Sequence, residues 1–121
     1  MKKVLLVEDD EMLLKSLTFY LKTNHFDVLA YDNGADAIDV LSDPSSSLDL
    51  VITDLNLPFA GGQQVIQAVK NSDRSDLPII VLTASGLEST ELEVLDLGAD
   101  EFISKPFSPA ILLKRIQKLL K

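Results

Sequence analysis

At 121 residues the chain suits one domain with its own hydrophobic core. Its 19 acidic against 11 basic side chains give a net charge of −8, which excludes gripping nucleic acid or an anionic membrane surface by charge alone. With no cysteine there is no disulfide, thiol nucleophile or thiolate metal site, and the single histidine, His25, excludes catalysis by paired histidines.

No apolar run approaches membrane-spanning length, and Met1-Lys2-Lys3 leads straight into a short strand rather than a signal segment, so a cytoplasmic setting without membrane contact is expected. Lys3-Val4-Leu5-Leu6-Val7 reads as that first buried strand, stopped by Glu8-Asp9-Asp10. Leu13, Leu14, Leu17 and Leu21 then repeat at helical spacing, which predicts a helix from Glu11 to Lys22 with Asp10 as its cap. Asn24-His25-Phe26 turns into a second strand, Val28-Leu29-Ala30. A second helix runs from Gly34 to Leu41, capped by Asn33, with Ile38 and Leu41 facing inward. Asp43-Pro44-Ser45-Ser46-Ser47 is a loop by composition, of a kind that tolerates change.

Leu50-Val51-Ile52-Thr53 is an apolar run that ends in a lone carboxylate, Asp54, and a turn, Leu55-Asn56-Leu57-Pro58. Such a run is a strand buried on both faces. Gly61-Gly62 opens a third helix carrying Val65, Ile66 and Val69, and Leu77-Pro78-Ile79-Ile80-Val81-Leu82 is a fourth strand ending at Thr83. A fourth helix, Leu87 to Leu97, starts weakly because of Ser85, Gly86, Ser89 and Thr90, and stops at Gly98. Phe102-Ile103 is a brief fifth strand ending at Ser104-Lys105-Pro106. Ser108 as a cap and Pro109 in the first turn start a fifth helix that runs to Leu120. Strand and helix alternate throughout, which predicts an α/β fold: a doubly wound parallel sheet with right-handed crossovers, as a single domain over 1–121.

The polar residues that end the strands fall at their carboxyl ends: Glu8 and Asp9, then Asp54, Thr83 and Lys105. With the strand order 2-1-3-4-5 the first and third strands flank the switch point, and their acids converge there. Carboxylates gathered in one crevice repel, a hard divalent cation relieves the repulsion, and an all-oxygen ligand set favours Mg2+ over zinc. Each residue alone has a plainer reading: Asp9 as a helix cap, Asp54 as a turn residue, Thr83 as a strand-end hydroxyl, Lys105 as a solvated lysine, Phe102 as a core aromatic. Their coincidence on one rim favours the functional reading.

Taken together, these segments resemble the receiver domain of bacterial two-component response regulators. Val7-Glu8-Asp9-Asp10 is similar to that family's acid pair, and Asp54-Leu55-Asn56-Leu57-Pro58 to its phosphoacceptor segment. Val81-Leu82-Thr83-Ala84, Gly98-Ala99-Asp100-Glu101-Phe102 and Lys105-Pro106-Phe107 are similar to its switch hydroxyl, switch aromatic and lysine segments. The chain departs from the family's usual Met-Asp-Gly in Ala60-Gly61-Gly62.

The resemblance implies a flavodoxin-like (βα)5 domain in which Asp54 accepts a phosphoryl group from a histidine kinase, a phosphotransfer protein or a small donor. It also implies that Asp9 ligates Mg2+ directly, Glu8 through water, and the Asn56 main-chain carbonyl beside Asp54. Lys105 would neutralise a phosphoryl oxygen and Thr83 would donate to another, so that Phe102 turns inward and the surface of the fourth helix, fifth strand and fifth helix changes. The expected role is a signalling phosphoacceptor that catalyses its own phosphorylation and dephosphorylation, not a turnover enzyme. The expected partners are a kinase, a downstream protein or an output domain of its own, and a second phosphorylated copy, not nucleic acid directly.

Three rival readings meet specific obstacles. A haloacid-dehalogenase-type phosphatase needs a second acid two residues after its nucleophile, where Asn56 stands, and usually carries a cap insertion. A flavodoxin-like FMN binder needs a Ser-, Thr- and Gly-rich first loop, where Glu8-Asp9-Asp10 repels phosphate. A pseudo-receiver would lack a reacting group, and every residue type is present.

Overall fold

The computed structural model describes residues 1–84 and 87–120. Its elements are β1 (Lys3–Val7), α1 (Glu11–Thr23), β2 (Asp27–Tyr31), α2 (Gly34–Ser42), β3 (Leu50–Asp54), α3 (Gly62–Lys70), β4 (Ile79–Thr83), α4 (Glu88–Leu97), β5 (Glu101–Ser104) and α5 (Pro109–Leu119). Every pairing is parallel, as the alternation predicts, in the order β2-β1-β3-β4-β5 expected of a flavodoxin-like domain. β3 and β4 lie inside the sheet and every one of their residues is buried, which is why they read as unbroken runs.

Alternating side chains divide the core between the two faces of the sheet. Leu5, Val7, Val51, Ile79 and Val81 meet Ala37 and Leu41 of α2, Val65, Ile66 and Val69 of α3, and Val94 of α4. Val4, Leu6, Leu50, Ile52, Ile80 and Leu82 meet Leu17 and Leu21 of α1 and Leu112 and Ile116 of α5. The even and odd positions of each strand therefore dictate which helices cover which face.

The helix starts follow the predicted caps. Asp10 accepts from the N–H groups of Met12 and Leu13, Asn33 from Asp36, and Ser108 from Ala110 with Pro109 in the first turn. α4 begins after Leu87 without a side-chain cap, and Gly98 ends it at a φ of +119°. Ser85 and Gly86, the other two residues read as a weak start, lie outside the described residues. β4 begins at Ile79, two residues after Leu77, because Pro78 has no N–H for the ladder. The Pro78 carbonyl still accepts from Val51 N at 3.0 Å.

The serine-rich loop is more firmly held than its composition suggests, since Arg74 Nη2 donates to the carbonyls of Asp43 (2.6 Å) and Ser46 (2.5 Å). Among the described residues no helix is long and apolar enough to cross a membrane.

Candidate functional site

At the carboxyl end of the sheet, the crossovers from β1 and β3 leave in opposite directions and open a crevice between them. Glu8, immediately after β1, is fully buried, and its Oε2 accepts from Asp10 N at 3.1 Å. That bond turns the carboxylate into the crevice, while Asp10 itself is occupied in capping α1. Asp9 is exposed on the rim. One carboxylate oxygen from each of Glu8, Asp9 and Asp54 lies within 4.8 Å of the other two.

Asp54 closes β3 and is 4 % exposed. Its Oδ1 is fixed by the N–H groups of Leu55 (2.7 Å) and Asn56 (3.3 Å), and its Oδ2 accepts from Lys105 Nζ at 2.9 Å. The two carboxylate oxygens are thereby distinguished: one is bound to backbone, the other to the Lys105 ammonium. The tight turn behind Asp54 depends on Gly62, whose N–H donates to Leu55 O at 2.9 Å. A Cβ at Gly62 would stand 2.2 Å from Asp54 O, so only glycine lets α3 start there.

Lys105 follows β5 directly and precedes a cis Lys105–Pro106 peptide, and its own N–H donates to Thr83 O at 2.8 Å. Its Nζ also lies 2.7 Å from Glu8 Oε1. That approach is an ion pair by distance but lies off the hydrogen-bond direction, so Glu8 Oε1 stays buried without a directed donor.

Burial pushes the Glu8 carboxyl up to about 7, and the negative charge of Asp54 adds to the rise against the pull of Lys105 and Asp10 N–H. Burial alone would lower the Lys105 ammonium, but its pairing with Glu8 and Asp54 outweighs that and raises it. Lys105 pairs with two acids, Glu8 and Asp54, and the cluster adds a third, Asp9. The surplus of carboxylates over ammonium groups and the Glu8 oxygen that has an ion-pair partner but no directed hydrogen bond make this cluster fit for a metal ion held by oxygen ligands.

Thr83 is buried at the end of β4. Phe102 pairs with Val81 in the β4–β5 register and packs partly buried against the α2–α3–α4 side of the core. Two residues along from Val81, Thr83 turns to the same face as Phe102. The structure brings Glu8, Asp9, Asp54 and Lys105 into contact or near contact on one rim, with Thr83 at the end of the neighbouring strand and Asn56 exposed on the loop that leaves the crevice, whereas Phe102 lies two residues short of the Thr83 level within the sheet. Sequence reasoning missed the Leu55 and Asn56 N–H groups that hold Asp54, a main-chain role that side-chain identity does not signal.

These features define a doubly wound α/β domain whose chemistry is concentrated at the switch point. The chain belongs to the response regulator receiver domain family, whose model matches residues 4–117. It is 36 % identical over its whole length to the transcriptional regulatory protein CpxR of Escherichia coli, covering 50 % of that protein. It is 33 % identical over 99 % of its length to the phosphate regulon transcriptional regulatory protein PhoB of the same organism, covering 52 % of it. The chain thus spans about half the length of the curated relatives it matches. Among solved structures, the non-phosphorylated HemR receiver domain from Leptospira biflexa superposes with a TM-score of 0.90 at 33 % identity, covering 100 % of this chain and 95 % of that one.

Proposed function

We propose that this receiver domain, spanning 1–121, takes a phosphoryl group on Asp54 Oδ2 from a histidine kinase or phosphotransfer protein. The observation that carries the reading is the division of labour on Asp54: Oδ1 is bound by Leu55 and Asn56 N–H, and Oδ2 is aimed at Lys105 within the acid cluster. In the transfer, Oδ2 forms a bond to phosphorus as the phosphorus–nitrogen bond of the donor imidazole breaks, and the leaving ring nitrogen keeps the electron pair and takes up a proton from solvent water. Glu8, Asp9, Asp54 and the Asn56 carbonyl are the groups that would hold Mg2+, which when bound neutralises phosphoryl oxygens. Lys105 can turn from the carboxylates to a phosphoryl oxygen, and Thr83, at the end of the neighbouring strand β4, would donate to another.

Asp9 and Glu8 differ in burial, and the difference orders their contributions. Asp9 reaches an ion with little rearrangement, whereas Glu8 is paired with Lys105. Calorimetric titration with Mg2+ is expected to show a larger loss for Asp9→Asn than for Glu8→Gln; equal or reversed losses overturn this ordering.

Phosphorylation is read out by protein, on the face of α4, β5 and α5. Charge suits that face to a second copy of the chain: Glu88, Glu91, Glu93 and Asp96 lie on α4, and Lys114, Arg115 and Lys118 on α5. A kinase upstream and a partner protein or output domain downstream complete this reading, and the added negative charge disfavours direct contact with DNA. Thr83→Ala is expected to take up phosphoryl label from acetyl phosphate yet lose most of the phosphorylation-dependent shift in sedimentation. A Thr83→Ala protein that is labelled and shifts like the parent removes Thr83 from the coupling.

A further inference from the structure

The loop between β3 and α3 is held in a conformation that its own residues disfavour. Phe59 and Ala60 have φ values of 58° and 132°, both in the left-handed region that side chains other than glycine's rarely adopt. Phe59 is 81 % exposed, so burial of its side chain does not hold the loop in place. The loop is closed at its base by the Gly62 N–H to Leu55 O bond, and its apex rests on the first residue of α2. There Gly34 N donates to Pro58 O at 3.2 Å, and a Cβ on Gly34 would stand 2.0 Å from Ala60 O. Asn33 fixes that end of α2 by accepting from Asp36 N at 2.9 Å.

We propose that Gly34 is a positioning residue for the metal site: the bare first turn of α2 seats the Pro58–Ala60 apex and thereby sets the place of the Asn56 carbonyl, two residues before Pro58. The inference rests on the reading of that carbonyl as a Mg2+ ligand. Gly34 never touches the ion. It acts because an obstructed seat moves the apex, and a proline-stiffened tether too short to absorb the movement passes it to Asn56. The same seat holds Ala60 at a φ that an isolated loop would abandon.

The test is Mg2+ affinity by calorimetry on the whole chain, with folding checked by circular dichroism. Gly34→Ala is expected to weaken Mg2+ binding about tenfold or more, the scale on which groups that orient metal ligands act. Adding Ala60→Gly to that variant should recover most of the affinity, because glycine lets the Ala60 carbonyl turn away from the new Cβ. Ile116→Val, which trims the core beneath α5, should lower the melting temperature without changing Mg2+ affinity. Asn33→Ala, which loosens the first turn of α2 while adding no atom, should give a smaller loss in the same direction as Gly34→Ala. If Gly34→Ala does not fold, Asn33→Ala carries the test, and parental affinity in it overturns the inference. A folded Gly34→Ala protein that binds within twofold of the parent also overturns it and leaves the metal reading standing. A parent that takes up no Mg2+ overturns both.

Discussion

Asp54→Asn is expected to abolish the uptake of a labile phosphoryl group altogether. With Mg2+ and acetyl phosphate, the parent should gain one phosphoryl mass that is lost under alkaline or hydroxylamine treatment, and the variant should gain none. The expectation follows from the geometry of the carboxylate. Replacing Oδ2 by an amide leaves Oδ1 with its two N–H donors but removes the only oxygen of Asp54 turned toward Lys105. The other acids of the cluster are placed differently: Glu8, which also divides its oxygens between a backbone N–H and Lys105, is fully buried, and Asp9 lies out on the rim. A variant that takes up acid-stable or alkali-labile phosphate to the parental extent would show that the nucleophile lies elsewhere.

Glu8→Gln is expected to make the metal-free protein more stable above neutral pH, by about 3 kcal/mol if the shift of the Glu8 carboxyl from 4.5 to about 7 is expressed in full. The sign follows from burial. The folded state holds the Glu8 proton more tightly than the unfolded chain, so the stability contributed by protonated Glu8 is complete below about pH 4.5 and lost as pH rises through about 7. Glutamine keeps the shape, cannot ionise and escapes that loss.

Urea unfolding without divalent ions should therefore show parent and variant nearly equal at about pH 4.5 and separating progressively toward about pH 8. Mg2+ added at the upper pH should stabilise the parent more than the variant, because ionised Glu8 is the form that attracts a cation. A constant gap across the whole range would refute the assignment of the strain to Glu8. The site is in this sense held against folding: the charge that costs stability in the metal-free domain is the charge that makes it receptive to a cation.

The residues that break the apolar strands were legible in the sequence because a buried strand has no use for Glu8, Asp54 or Lys105 except at its end. The parallel, doubly wound sheet followed from the regular alternation and the chirality of its crossovers, whereas the order 2-1-3-4-5 was what the resemblance to the receiver family implied. The caps were legible too: Asp10, Asn33 and Ser108 are short polar side chains placed just before apolar periodicity, and each accepts the N–H that its position predicts. These are local properties, set by a few neighbouring residues and by the period of strand or helix.

What only the tertiary structure decided depends on segments distant in the chain. The sequence could not tell which oxygen of Asp54 meets backbone and which meets Lys105, because that is set where β3 and the loop after β5 converge. It likewise could not show that Glu8 keeps an undirected buried oxygen, or that Arg74 fastens a serine-rich loop. Gly34 reads in the sequence as an ordinary helix start. Its consequence is a close approach to the Ala60 carbonyl, and Phe59 and Ala60 carry no local signal for the left-handed region. Their conformation comes from closure of the loop onto α2, a packing constraint that outweighs the preference of each residue.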